Sequence, residues 1–184
     1  MLIVLNGYPG VGKLTIGQAL APLIGGRLLD IHSVYNVAFA LTEFKSEKFY
    51  ETVDSVQSIA DRRIRELPDH VPVILTDVLT EKTGFSEKRT QRLLDLGRER
   101  GPLLMVHIHC DLEENKRRIM GASRIGAHKP LDPAMAIRNQ EGGAVLVGAD
   151  WPHCLKLDVT ELTAKQAAER IAIWMKEQVP GKPA

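Results

Sequence analysis

The chain has 184 residues, with 24 basic side chains against 23 acidic ones and a hydrophobic fraction of 44%. That length suits one compact domain with a substantial core, and the near-cancelling charge excludes a chain-wide electrostatic surface for nucleic acid or an anionic membrane. Cys110 and Cys154 are too few and too far apart for a zinc cluster or a disulfide framework, and read as buried apolar thiols. The first apolar run, Leu2 to Leu5, has no basic segment before it and stops at Asn6, too short for a signal or a membrane span. It reads as a buried strand of a soluble protein, cytoplasmic by default. Arg27 to Asp30, Val71 to Thr76, Leu103 to His109 and His153 to Leu157 follow as strand candidates. Uninterrupted apolar positions such as Val73-Ile74-Leu75 predict strands covered on both faces.

Between these strands the helices have readable ends. Val53, Val56, Ala60, Ile64 and Leu67 form a stripe at helical spacing that Pro68 ends. A helix from about Ser86 to Arg100 stops at Gly101-Pro102. Asp111, with Glu114 three residues on, caps the next, and Asp132-Pro133 offers an N-cap followed by proline at the first helical position. Thr163 and Gln166 make a capping box for a last helix that buries Ala167, Ala168, Ile171, Trp174 and Met175. The alternation of strands and helices predicts an α/β fold on a largely parallel sheet, one domain over residues 1–184 without internal repeats. Only the tail from Pro180 reads as untethered.

The strongest constellation follows the first strand: Gly7-Tyr8-Pro9-Gly10-Val11-Gly12-Lys13-Leu14-Thr15, with a helix starting near Lys13. Glycines at 7, 10 and 12 let successive amides turn inward as an anion-sized nest, the helix end adds its free amides and dipole, and the Lys13 ammonium bridges terminal phosphates. Gly7, Gly12 and Lys13 satisfy the Walker A pattern, except that Leu14 stands where the magnesium-binding hydroxyl belongs. Thr15 is the hydroxyl left to take that duty. Tyr8-Pro9 shapes the loop or touches the base. Asp77, after Val73-Ile74-Leu75-Thr76, is placed like a Walker B carboxylate, and Asp30 ends the second strand; both are expected to face the crevice at the carboxyl ends of the strands. From Lys116 to Lys129 run five Lys or Arg residues, no acid and two glycines. Here Arg118 and Arg124, with Arg138 on the next helix, are candidates to close over a transferring phosphoryl group. His107 and His109 alternate along a strand with no third ligand and read as packing residues.

On these residues the whole chain resembles the P-loop small-molecule and nucleoside-monophosphate kinases, including adenylate, shikimate and gluconate kinases. Arg118-Ile119-Met120-Gly121 followed by Arg124 is similar to the opening of an adenylate kinase lid. The resemblance implies a three-layer α/β/α sandwich with a five-stranded parallel sheet, a short lid at about 117–131, ATP as phosphoryl donor, Mg²⁺ held by Thr15 and Asp77, and a small-molecule acceptor. It carries no implied nucleic acid or membrane partner, and a monomer or homodimer is expected. Asp30, His32, Tyr35 and Asn36 are the candidates for contacting the acceptor, with Asp30 first. No arginine lies between Asp30 and Tyr50 to grip an acceptor phosphate, and Arg62, Arg63 and Arg65 are placed on a solvated helix face, so a non-nucleotide acceptor is favoured. Two other readings stay open: an ATPase or switch without an acceptor, and a degenerate nucleotide binder that Leu14 deprives of efficient transfer. A resistance-type phosphotransferase is inseparable from a metabolic one.

Overall fold

The computed structural model describes residues 1–81, 84–121, 131–142 and 145–178, with Phe85 described by its backbone alone. Strands β1 (Leu2–Asn6), β2 (Arg27–Leu29), β3 (Val73–Asp77), β4 (Leu103–His109) and β5 (Cys154–Asp158) form one parallel sheet in the order β2-β3-β1-β4-β5. Helices α1 (Lys13–Leu23), α2 (Ile31–Leu41), α3 (Glu47–Glu66), α4 (Gly84–Arg100), α5 (Leu112–Ile119), α6 (Ala134–Glu141) and α7 (Ala164–Gln178) complete the described elements. β1 sits centrally, pairing Leu5 with Thr76 of β3 on one side and Asn6 with His107 of β4 on the other. The chain therefore reverses its direction of winding at β1, and the crevice above its carboxyl end is where an open α/β sheet receives a ligand.

Period-two alternation divides the core. Ile3, Leu5, Ile74, Val106 and Ile108 pack with Ile16, Leu20, Ala167 and Ile171 of α1 and α7. Leu2, Val4, Val73, Leu75 and Met105 pack on the opposite face with Ile64 of α3 and Leu93 and Leu96 of α4. Helices thus cover both faces of the sheet, as the unbroken apolar strands required.

Several predicted boundaries move. β3 starts and ends later than the expected Val71 to Thr76, so Asp77 belongs to the strand itself. α6 begins at Ala134 with Pro133 as its cap residue, one position later than expected, although Asp132 Oδ1 still accepts from the Ala134 amide at 2.9 Å. Asp111 caps α5 by accepting from the Glu114 amide at 2.7 Å. The Thr163 and Gln166 box closes in both directions, at 3.0 and 3.2 Å.

α2 is absent from the sequence reading. Its buried positions Ile31, Val34 and Ala38 have helical spacing, but its cap residue Asp30 makes no capping hydrogen bond, because that carboxylate is engaged elsewhere. α2 and α3 share a third small core of Val34, Ala38, Phe49 and Val53, with Tyr35 and Phe39 packed against it. Cys110 and Cys154 are half-buried free thiols, less enclosed than expected, and burial pushes the Cys110 thiol up to about 11. No described helix is long and apolar enough to cross a membrane.

Candidate active site

The glycine loop joins β1 to α1. Gly10 and Gly12 lie at φ 93° and 98°, in the left-handed region that glycine enters freely. Gly7 is required for another reason: a Cβ there would stand 2.4 Å from the Ile108 carbonyl oxygen of β4. A Cβ on Gly10 would meet the side chains of Asn115 and Ile119 at 2.6 Å. Lys13 Nζ donates to the carbonyls of Gly7, at 2.5 Å, and Tyr8, at 2.9 Å, which holds the ammonium across the mouth of the loop.

α5 braces this loop from outside. Asn115 Nδ2 donates to the Pro9 carbonyl at 3.0 Å, and the Arg118 guanidinium donates to Val11 O at 3.1 Å, Val159 O at 2.8 Å and Glu114 Oε1 at 2.5 Å. Arg117 and then Arg118 hold the Glu114 carboxyl well below the usual range, at about 2. Arg118 is therefore a fixed strut between the loop and the segment after β5, whereas the sequence placed it on a closing lid. The expected lid at 117–131 begins inside α5, and its stretch 122–130, with Arg124, lies outside the described residues. Arg138 pairs with Asp132 at 2.9 Å on the surface, and both side chains are more than half exposed.

A cleft of about 600 Å³ runs from the loop to the ends of β2 and β3. Pro9, Gly10, Gly12, Lys13, Leu14 and Thr15 line one end; Asp30, Ile31, His32, Thr76 and Val78 line the other; Arg117, Arg118, Val159 and Leu162 form the wall beyond α5. At the far end the Thr76 hydroxyl accepts the Ile31 amide at 3.1 Å and donates to Asp30 Oδ1. One threonine thus fixes the start of α2 and the orientation of the Asp30 carboxylate together. The other Asp30 oxygen takes no hydrogen bond from a described residue.

Asp77 goes elsewhere. Thr76 shares the face of β3 that carries Ile74, toward α1, so Asp77 must share the face of Val73 and Leu75, toward α4. There Asp77 Oδ2 pairs with Arg89 Nε at 2.9 Å, the two side chains only 3% and 6% exposed, and Oδ1 accepts the Val78 amide at 2.8 Å. Burial, and then the Asp77 carboxylate, push the neighbouring Tyr35 phenol upward. The carboxylate expected at the crevice is, in this arrangement, the inner half of a buried ion pair tying α4 to β3.

His107 is buried, with its Nε2 2.8 Å from the Val147 carbonyl, and burial lowers its pKa, in keeping with packing. Arg62, Arg63 and Arg65 are exposed on α3, the last two paired with Glu66 and Glu99. No cluster of three or more His, Cys, Asp or Glu suited to a metal occurs among the described residues. Sequence reasoning missed Thr76, Asn115 and Arg89. Thr76 was visible as a lone hydroxyl inside an apolar strand, and Asn115 as the residue one helical turn before Ile119; nothing in the sequence marked Arg89.

A family model described as an AAA domain matches residues 3–128, a span that holds β1, the glycine loop, the Asp30 wall and α5. The chain belongs to that family. Among solved structures, a candidate kinase from Chloroflexus aurantiacus J-10-fl is 19% identical over 97% of both chains, with a TM-score of 0.68. Shikimate kinase from Acinetobacter baumannii, in complex with shikimate, is 16% identical over 98% of this chain and 95% of that one, with a TM-score of 0.61. A gluconokinase from Sinorhizobium meliloti 1021 is 14% identical over 96% of this chain and 95% of that one, at 0.56. No curated protein matches the sequence. At these identities the likeness is one of fold: this member of the family has the three-layer sandwich of the P-loop kinases.

Proposed function

We propose that the protein is an ATP-dependent small-molecule kinase. One observation carries the reading: a single cleft joins a phosphate-sized nest with its lysine to a carboxylate whose orientation is fixed by a neighbouring hydroxyl. Loop amides and Lys13 hold the β- and γ-phosphates. Arg117 and Arg118 wall the donor end, where Leu162 and Val159 offer apolar and backbone surface for a base. Asp30 accepts the hydrogen bond of the acceptor hydroxyl and aims its oxygen at the γ-phosphorus. As the new P–O bond forms and the bond to the ADP oxygen breaks, the hydroxyl proton passes to Asp30. Arg124 is assigned to the equatorial oxygens of the transferring group.

Magnesium draws most of its ligands from substrate phosphates and water, so it asks for only one or two protein oxygens. Thr15 in the cleft meets that need despite Leu14, and would hold the ion, which offsets charge on the phosphate oxygens. Asp77 would have to leave Arg89 to take part.

The test is ADP release with ATP and Mg²⁺ across a panel of small alcohols, sugars and nucleoside monophosphates. Release that rises with one acceptor, with a phosphorylated product, is the expected result. Release independent of any acceptor would favour an ATPase. Leu14 favours a second reading, a nucleotide binder without transfer, for which tight ATP binding unaffected by Mg²⁺ removal is the signature.

A further inference from the structure

Two side chains of α5 hold the glycine loop by its carbonyl oxygens. Asn115 Nδ2 donates to the Pro9 carbonyl at 3.0 Å and Arg118 Nη1 to the Val11 carbonyl at 3.1 Å, and their spacing puts both on one face of the helix. Each of these carbonyls shares its peptide with a glycine: Pro9 O lies across from the Gly10 amide, and Val11 O across from the Gly12 amide. No cis peptide occurs among the described residues, and in a planar trans peptide the C=O and N–H groups point in opposite directions. Drawing the two carbonyls toward α5 therefore turns the Gly10 and Gly12 N–H groups away from it. Both glycines line the cleft, and among the described residues neither amide donates to a backbone carbonyl.

These two peptides are also easy to turn over. Rotating a peptide changes ψ of the residue before it and φ of the residue after it. In both cases the residue after is a glycine, at φ 93° and 98°, with no Cβ to resist the rotation. The freedom that lets the loop form also lets its amides face the wrong way, so the choice falls to what holds the carbonyls. The two anchors are themselves fixed. Asn115 is buried, and Arg118 is held in addition by Glu114 Oε1 and Val159 O.

We infer that Asn115 and Arg118 are positioning residues for phosphate binding, Asn115 aiming the Gly10 amide and Arg118 the Gly12 amide. Both act through the loop and not on the transferring group. This rests on the phosphate-holding half of the kinase reading and is independent of any acceptor.

The experiment follows the amide resonances of Gly10 and Gly12 by NMR, in protein labelled on its glycine nitrogens, during titration with ATP and Mg²⁺ and separately with inorganic pyrophosphate. In the parent both amide protons should move downfield. In Asn115→Leu the Gly10 response should be lost and the Gly12 response kept; in Arg118→Met the reverse is expected. The Kd for ATP, from calorimetry, should rise about tenfold in each variant, the scale of one hydrogen bond to a charged group. Arg118→Lys, which keeps a donor for Val11 O, should recover the Gly12 response. If the melting temperature shows Asn115→Leu to be poorly folded, Asn115→Asp is read in its place, since it keeps the shape and presents an acceptor to Pro9 O. Variants that dull both amides alike, or that leave both at parent strength, overturn the inference and leave the phosphate site standing. If neither probe moves either amide in the parent, the phosphate site is refuted, and the kinase reading and this inference fall together.

Discussion

The glycine-loop end of the cleft and its Asp30 end, which the kinase reading assigns to donor and acceptor, are built by different means. At the loop end the shape comes mostly from backbone: left-handed glycines at 10 and 12, braced where Asn115 and Arg118 donate to the loop's own carbonyls. At the Asp30 end it comes from side chains, and their aim depends on one hydroxyl shared between the Ile31 amide and the Asp30 carboxylate. A backbone site tolerates little change in shape and asks less of the side chains that border it. A side-chain site can be re-aimed by single substitutions. On the kinase reading, the donor end would be the fixed part of the cleft and the acceptor end the adjustable part.

The largest expected effect tests whether Asp77 belongs to either end. Asp77→Ala should cost about 3–5 kcal/mol of stability by leaving Arg89 buried and unpaired. A paired replacement, Asp77→Leu with Arg89→Met, should restore most of it, read by urea unfolding. If the double variant is stable yet loses Mg²⁺-dependent ATP binding, Asp77 serves the metal and not the framework. Next, Lys13→Ala should lower kcat by roughly 100-fold or more while leaving the far-ultraviolet circular dichroism unchanged. A full-rate variant would refute the donor assignment. Thr76→Val should then reduce kcat/KM for the acceptor about tenfold, with ATP affinity unaltered, since it removes a second-layer hydrogen bond on one side only. Equal losses on both sides would mean the two ends are not separable.

The smallest effect concerns the brace. Glu114 has its carboxyl depressed to about 2 from an ordinary value of 4.5, so its contribution is complete above the ordinary value and is lost as pH falls through the folded one. The stability gap between the parent and Glu114→Gln should therefore be constant at neutral pH and close between about pH 4.5 and 2. A gap that persists unchanged at the acid end would show that the carboxylate charge does not hold Arg117 and Arg118.

The two ends also differ in how readable they were. The glycine loop is contiguous, so strand, nest, lysine and helix appear in one line of sequence. Caps such as Asp111 and the Thr163 to Gln166 box are equally local. Asp30 was visible as a strand-ending acid, but its partner Thr76 stands 46 positions away, joined to it only because β2 and β3 are neighbours in the sheet. Asp77 was misplaced for a physical reason: the end of a strand has two faces, and position along the chain does not by itself say which one meets the cleft. The alternation Val73, Leu75, Asp77 held the answer, since two apolar residues of the α4 face predict the third side chain to turn the same way. Arg118 was read from a charge run and from its likeness to an adenylate kinase lid, and neither reveals that the guanidinium is held by two backbone carbonyls.

The small aromatic core between α2 and α3 is distinct from the two cores flanking the sheet but touches one of them through Leu29 of β2, with Phe39 and Phe49 rings 5.3 Å apart and Phe44 largely in solvent. Changes there act first on the α2–α3 hairpin and reach the sheet through Leu29. The hairpin meets the cleft through the start of α2, where the Ile31 amide donates to Thr76, and not through the glycine loop, which α5 braces from the other side of β1.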